Sequence, residues 1–296
     1  MNEQELQKWK QAGKLGSETL AYAKSIVKEG MTLLELAEKI EAFVEKRNAK
    51  FAFPINLSKD EIAAHFSPQH NSEEKASGLL KIDLGISFDG YISDLSCSID
   101  LTPDKKYKKL IEASEKALDE AIKMVKPGQE LGEIGKKIQE TISSYGFAPI
   151  INLSGHELKQ FNLHSGLTVP NYDNGNKTKL KEGQVLAIEP FATTGQGIVQ
   201  DGRESGIYKF QEKHNTRDMF ARQVLDYIEQ EYHELPFSGR WIIKKFGTRS
   251  LFSLRALEQV SSLHHFKQLV EKTKMPVSQA EATVLVTKDG CEVLAR

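Results

Sequence analysis

One segment of the chain occurs twice. Lys28-Glu29-Gly30-Met31-Thr32-Leu33-Leu34-Glu35-Leu36-Ala37-Glu38-Lys39-Ile40 aligns with Lys126-Pro127-Gly128-Gln129-Glu130-Leu131-Gly132-Glu133-Ile134-Gly135-Lys136-Lys137-Ile138, and Lys, Gly, Leu, Glu, Lys and Ile coincide. Each copy follows an amphipathic helix pattern, near residues 4–28 and 105–125, and each opens a second helix after a glycine-containing break. Apolar residues recur at helical spacing in both second helices, at 33, 36, 40 and 43 and at 131, 134, 138 and 142. A short proline-containing strand then leads to the triplet Asn-Leu-Ser, at 56–58 and again at 152–154. An ordered series of matches predicts a duplicated unit of two helices followed by antiparallel strands. Such a unit buries its helices against one face of a sheet, which makes the fold class α+β.

The strands of the first unit carry an unusual pair of charges, Asp83 and Asp94, in Lys81-Ile82-Asp83-Leu84-Gly85-Ile86-Ser87-Phe88-Asp89-Gly90-Tyr91-Ile92-Ser93-Asp94. Asp89-Gly90 is a two-residue hairpin signal, because both turn positions need φ > 0. With that loop Phe88 faces Tyr91 and Asp83 faces Ser96. Asp94 then lies on the same face as Asp83, a diagonal neighbour at roughly 7–8 Å. A single strand aspartate is ordinarily a solvated one. Two of them side by side on otherwise apolar strands call for a divalent cation.

The duplication makes a demand on the second unit. Gly78-Leu79-Leu80-Lys81-Ile82-Asp83 is matched by Gly183-Gln184-Val185-Leu186-Ala187-Ile188-Glu189, so Asp83 and Glu189 take equivalent places. The counterpart of Asp94 is Glu281, ahead of the apolar run Thr283-Val284-Leu285-Val286, a costly place for an unpartnered carboxylate. That strand reaches a second hairpin signal at Asp289-Gly290. The two glutamates stand far apart in sequence, and the excess lies near residues 207–270. It contains helix patterns at 216–228, 236–246 and 250–263. We therefore expect a single domain over residues 1–296 with a helical insertion at 207–270.

Four carboxylates alone suit calcium or magnesium. A nitrogen ligand shifts the choice toward a first-row transition metal. Of the eight histidines, three are placed by the repeat: His156, which follows Gly155 directly after the second triplet, His65 after the first and His164 after the second. His70, His214 and His233 lie in polar surroundings, and His264-His265 at the edge of the insertion.

Net charge is −1. No basic excess points to DNA, and no apolar run approaches the roughly 20 residues of a spanning helix. The opening residues lack the basic and apolar regions of a secretory signal. Cys97 and Cys291 are too few for a disulfide framework and read as reduced thiols of a cytoplasmic protein. No surplus apolar helix is left over, so a monomer is expected.

The series Asp, Asp, His, Glu, Glu, carried by Lys-Ile-Asp-Leu-Gly, Asp-Gly-Tyr-Ile-Ser-Asp, Leu-Ser-Gly-His-Glu, Ala-Ile-Glu-Pro-Phe and Ser-Gln-Ala-Glu, resembles the metal site of the methionine aminopeptidases. The insertion, Phe53-Pro54, Ala63-Ala64-His65, Pro170-Asn171-Tyr172-Asp173-Asn174-Gly175 and Ala192-Thr193-Thr194-Gly195 resemble the archaeal form of their type 2 branch. The likeness spans almost the whole chain. It implies the pita-bread fold, with two pseudo-symmetric halves around an antiparallel sheet. It implies two divalent ions (Co, Mn, Fe or Zn), with Asp94 and Glu281 bridging, Asp83 on one ion and His156 with Glu189 on the other. Glu189 would be the general base, His164 a donor to the scissile carbonyl, and His65 a partner of the substrate amide. Phe53, Leu163 and Phe266 would line a methionine pocket.

The substrates so implied are peptides and nascent polypeptides with N-terminal Met. An enzyme acting on nascent chains would meet ribosomes transiently, although no residue pattern marks that contact. Two departures stand out: Ala282 follows the last ligand where the family has His, and Phe266 replaces a tyrosine. Rival readings are a proline-specific aminopeptidase or dipeptidase and a non-catalytic binding module of the same fold. The first usually carries a large domain ahead of its metal half, and the second lacks the ligands.

Overall fold

The computed structural model describes all 296 residues. Two helices open the chain, α1 (Glu3–Ile26) and α2 (Leu33–Glu45), followed by β1 (Lys50–Lys59), β2 (Ile62–Ala64), β3 (Leu79–Phe88) and β4 (Tyr91–Asp100). The pattern then restarts with α3 (Lys108–Met124), α4 (Leu131–Ser144), β5 (Ala148–Pro149), β6 (Ser154–Leu158), β7 (Thr168–Pro170), β8 (Val185–Ile188) and β9 (Phe191–Thr193). A third group comprises β10 (Val199–Phe210), α5 (Met219–Tyr232), β11 (Phe237–Ser238), α6 (Gly239–Phe246), α7 (Ser250–Gln259) and β12 (Leu263–Glu271). The chain closes with β13 (Val277–Gln279), β14 (Ala282–Val286) and β15 (Cys291–Ala295).

The duplication read from sequence extends to individual hydrogen bonds. Gly30 and Gly128 both take left-handed backbone, at φ +82° and +83°, a conformation that costs glycine nothing. Gly30 N donates to Ala76 O at 2.9 Å and Gly128 N to Leu180 O at 2.8 Å. Leu33 N and Leu131 N, at the starts of α2 and α4, donate to Glu74 O and Thr178 O. In each half the helical stripe meets a sheet. Leu33, Leu36 and Ile40 pack with Ile55, Ile82 and Leu84, while Leu131, Ile134 and Ile138 pack with Leu186, Ile188 and Val284.

Strand order is β1-β3-β4 in the first half and β15-β14-β8-β6-β7 in the second, so β1, β3 and β4 are echoed by β6, β8 and β14. The halves join along a seam between β4 and β13–β14. Thr283 Oγ1 accepts from Asp94 N and donates to Asp94 O, both at 2.7 Å. Ser96 bridges Glu281, and Ser98 Oγ accepts from Gln279 N and donates to Gln279 O at 2.8 Å. The seam thus runs antiparallel, with Asp94 and Glu281 on it.

The third group forms its own layer. Strands β11-β10-β12-β2 make one sheet, and Val224, Ile228, Ile242, Leu254 and Leu257 from its three helices share a core with Phe237 and Tyr208. Arg240 anchors this layer to α2 by a bidentate pair with Glu41, both bonds 2.7 Å and both residues buried, and Trp241 Nε1 donates to the same carboxylate. Three helices fall within the expected insertion, but the third is shorter than its 250–263 pattern: α7 ends at Gln259 and Leu263 already opens β12. The second hairpin signal is corrected: Val286 pairs with Cys291, so residues 287–290 form a four-residue connection. Neither Asp289 nor Gly290 takes the positive φ that a two-residue Asp-Gly turn needs, so the loop does not centre on them. No helix is long and apolar enough to cross a membrane.

Candidate metal centre

The first hairpin has the register its turn dictates. Asp89 and Gly90 sit at φ +52° and +81°, Phe88 pairs with Tyr91, and Asp83 pairs with Ser96. Asp94 pairs with Gly85 and so lies diagonal to Asp83. In the second half, Ile188 pairs with Ala282, and Glu189 and Glu281 are the next residues out, at the breaks where β8 and β14 stop pairing. Pro190, which has no N–H for a ladder, follows Glu189 at one of these breaks. His156 on β6 pairs with Ala187, two residues before Glu189.

These five side chains come together. Ligand atoms of Asp94, His156 and Glu281 all lie within 4.8 Å of one another. His156 Nε2 is 3.5 Å from Asp94 Oδ2 and 3.6 Å from Glu189 Oε1. Asp83 Oδ2 accepts from Gln279 Nε2 at 3.3 Å, and the same amide nitrogen reaches Glu281 Oε2 at 3.5 Å. All five line one cavity of about 340 Å³, together with His65, His164, Phe53, Leu163 and Phe266. No lysine or arginine lines it, so the chain supplies no cation to balance four carboxylates.

The electrostatics follow from that imbalance. Burial pushes the Asp83 carboxyl up to about 7. Burial, then repulsion from neighbouring carboxylates, holds Asp94, Glu189 and Glu281 well above the ordinary range. Burial and the neighbouring His164 push His156 down to about 3, which keeps its imidazole neutral and able to ligate. Asp83 Oδ1 is buried with no hydrogen-bond partner. Acceptor-rich, cation-free and with an unmatched buried oxygen, this donor set fits divalent metal: a cation would stabilise every carboxylate at once. Mixed carboxylate and imidazole ligation suits a transition ion.

The two other histidines stand at the substrate side. His65 follows β2 with φ +61°, a conformation rare enough for a non-glycine residue to mark a constrained site. Its ring meets the edge of Phe266 at 5.5 Å, and burial pushes it down to about 4. The exposed His164 ring lies 4.2 Å from that of His156, and surrounding protein, followed by Lys209, lowers its pKa. The Phe53 ring packs on Gly85, where a Cβ would stand only 2.3 Å from it. The departure at Ala282 points away from the centre, into the α3–α4 core. Sequence reasoning missed Gln279, which touches both Asp83 and Glu281, though its position two residues before a ligand on one strand was a usable signal. It also missed Ile207, Pro236 and Leu269, which the third layer adds to the cavity wall.

Residues 7–248 match metallopeptidase family M24. The chain belongs to that family. Among its members, this chain is 41% identical to the methionine aminopeptidase of Methanocaldococcus jannaschii over 97% of each chain. It is 38% identical to that of Methanothermobacter thermautotrophicus over 98% of each. Among solved structures, the methionine aminopeptidase of Rickettsia prowazekii superimposes with TM-score 0.72 at 22% identity, covering all of this chain and 98% of that one. A thermophilic Arx1 superimposes with TM-score 0.87 at 16% identity, covering all of this chain and 91% of that one. The prolidase of Pyrococcus furiosus reaches 0.63 at 19% identity, with 64% of its length covered. These structural likenesses establish the shared pita-bread fold of this M24 chain.

Proposed function

We propose that this chain is a metal-dependent aminopeptidase that removes the N-terminal methionine of peptides and nascent polypeptides. The observation that carries the reading is the convergence of Asp94, His156 and Glu281, flanked by Asp83 and Glu189, in a cavity that Phe53, Leu163 and Phe266 also line. Archaeal methionine aminopeptidases at about 40% identity over nearly the full chain support the same activity.

Asp83 would help hold one divalent ion, His156 and Glu189 a second, and Asp94 and Glu281 would serve both. Bound there, the ions supply Lewis acidity and lower the pKa of water. Glu189 is the general base: its carboxylate takes the proton of the attacking water and can return it to the leaving nitrogen. His164, at the mouth beside His156, donates to the oxygen of the scissile carbonyl as negative charge develops. His65, kept neutral by burial, hydrogen-bonds the substrate amide without adding a charge. Phe53, Leu163 and Phe266 hold the flexible thioether chain in an apolar slot.

Replacing Glu189 by Gln tests the reading. Turnover of a Met-Gly-type peptide by the metal-loaded enzyme should fall by roughly 10²–10⁴-fold with the fold intact. Unchanged turnover would remove the base assignment. Cleavage of Xaa-Pro peptides in preference to Met-Ala would instead favour a proline-specific enzyme. Less than one equivalent of metal after reconstitution would favour a binding module.

A further inference from the structure

The turn that sets the spacing of Asp83 and Asp94 also makes a contact that the chemistry above leaves unused. Between His156 and His164 the chain reverses at residues 159–162, where Lys159 N donates to Asn162 O and Asn162 N to Lys159 O, each at 3.0 Å. The tip of this second turn rests on the tip of the first. Phe161 N donates to Gly90 O at 2.8 Å, and Gln160 Nε2 donates to Asp89 O at 2.9 Å. The Phe161 ring covers Gly90 so closely that a Cβ there would stand 2.5 Å from it. On its other side the ring meets the edge of His233.

Two features of Phe161 are otherwise hard to account for. It is a large apolar residue 44% exposed at a loop tip, and its backbone is left-handed at φ +57°. A bulky side chain is a poor choice for that conformation unless the surroundings hold it there. The chain just beyond is tightly specified: His164 N donates to Asn162 Oδ1 at 3.2 Å and Ser165 N to Glu157 O at 2.9 Å. A shift at Phe161 is therefore passed directly to Leu163 and His164.

We propose that Phe161 is a positioning residue, whose seat on Gly90 fixes the loop carrying Leu163 and His164 relative to the hairpin carrying Asp83 and Asp94. This rests on the proposed role of His164. The proposed metal ligand His156 lies on β6, ahead of the turn, where pairing with Ala187 of β8 holds it independently of the seat.

The test compares Phe161→Ala, Phe161→Tyr and Gly90→Ala, each alone and in a His164→Ala background, in metal-loaded full-length protein. Phe161→Ala is expected to lower kcat on a Met-Ala-type peptide about tenfold at unchanged metal content, Phe161→Tyr to restore it, and His164→Ala to abolish the difference. Amide exchange of residues 160–165, measured without substrate, should quicken at least tenfold in Phe161→Ala. Gly90→Ala should perturb the same amides, and less so when Phe161 is also Ala, since the steric conflict is then gone. Unchanged exchange and unchanged kcat in Phe161→Ala would overturn the proposal, as would a kcat loss that persists in full in the His164→Ala background. Inactivity of the metal-loaded wild type would count against the aminopeptidase reading alone, and the exchange arm would still decide the seat.

Discussion

In the metal-free protein Asp83 should contribute stability that falls as pH rises, and a variant at that residue isolates the contribution. In the metal-free fold the Asp83 carboxyl is raised to about 7 by burial, against an ordinary value of 3.8. A raised carboxyl is protonated in the native state where the unfolded chain has already released its proton. At this residue the native state therefore binds more protons than the unfolded chain between about pH 4 and 7, and its contribution to unfolding free energy declines across that window. Each unit of difference is worth about 1.4 kcal/mol, so Asp83 alone contributes a decline on the order of 4 kcal/mol. Below about pH 4 the stabilisation is fully present, and above 7 it is gone. Asp94, Glu189 and Glu281 are raised as well and extend the decline in the same direction. The assay is urea unfolding of EDTA-treated protein at several pH values, for wild type and Asp83→Asn. Buried His156 and His65, pushed down to about 3 and 4, act in the opposite direction in both proteins, so the quantity to read is the difference: wild type minus variant should fall from pH 4 to 7 and leave the variant the more stable at pH 8. Added metal should abolish the wild type's disadvantage, because ligation favours the ionised form. A difference between wild type and variant that stays flat or grows over pH 4–7 would refute the account of a cavity built from uncompensated charge.

Two further perturbations probe the surroundings of the centre. Gly85→Ala places a Cβ against the Phe53 ring and should raise KM for Met peptides several-fold more than it lowers kcat, as steady-state kinetics would register. Arg240→Ala leaves the buried Glu41 carboxylate unpaired and should cost about 3–5 kcal/mol in chemical denaturation.

Where a local rule fixes geometry, the sequence was enough. A two-residue Asp-Gly turn leaves one register for its strands, and with it the faces of Asp83 and Asp94. The duplicated helix starts are likewise local, since glycine at positive φ followed by an apolar stripe admits little else. Glu189 and Glu281 were legible only by analogy between the halves, because each sits at an interruption of a strand and no periodicity points there. The turn after β14 was misread because a dipeptide signals a turn without fixing its conformation: neither Asp289 nor Gly290 takes positive φ, and the ladder already closes at Val286 and Cys291. Ile207, Pro236 and Leu269 reach the cavity through the packing of a separate layer. That packing depends on contacts such as Arg240 with Glu41, which no short stretch of sequence announces.

The seam between β4 and β14 has a consequence for the order of events in synthesis. Asp94 and Thr283 are 189 residues apart, yet the Thr283 hydroxyl bonds both backbone groups of Asp94. Helices and hairpins of the first half can form while the chain is still being made. The centre cannot, because its final carboxylate, Glu281, emerges after every other ligand. A partly made chain holds acidic and imidazole groups without the strand that closes them into one site. Uptake of metal is thereby deferred until both halves can meet, so that loading the ion and completing the fold become the same event.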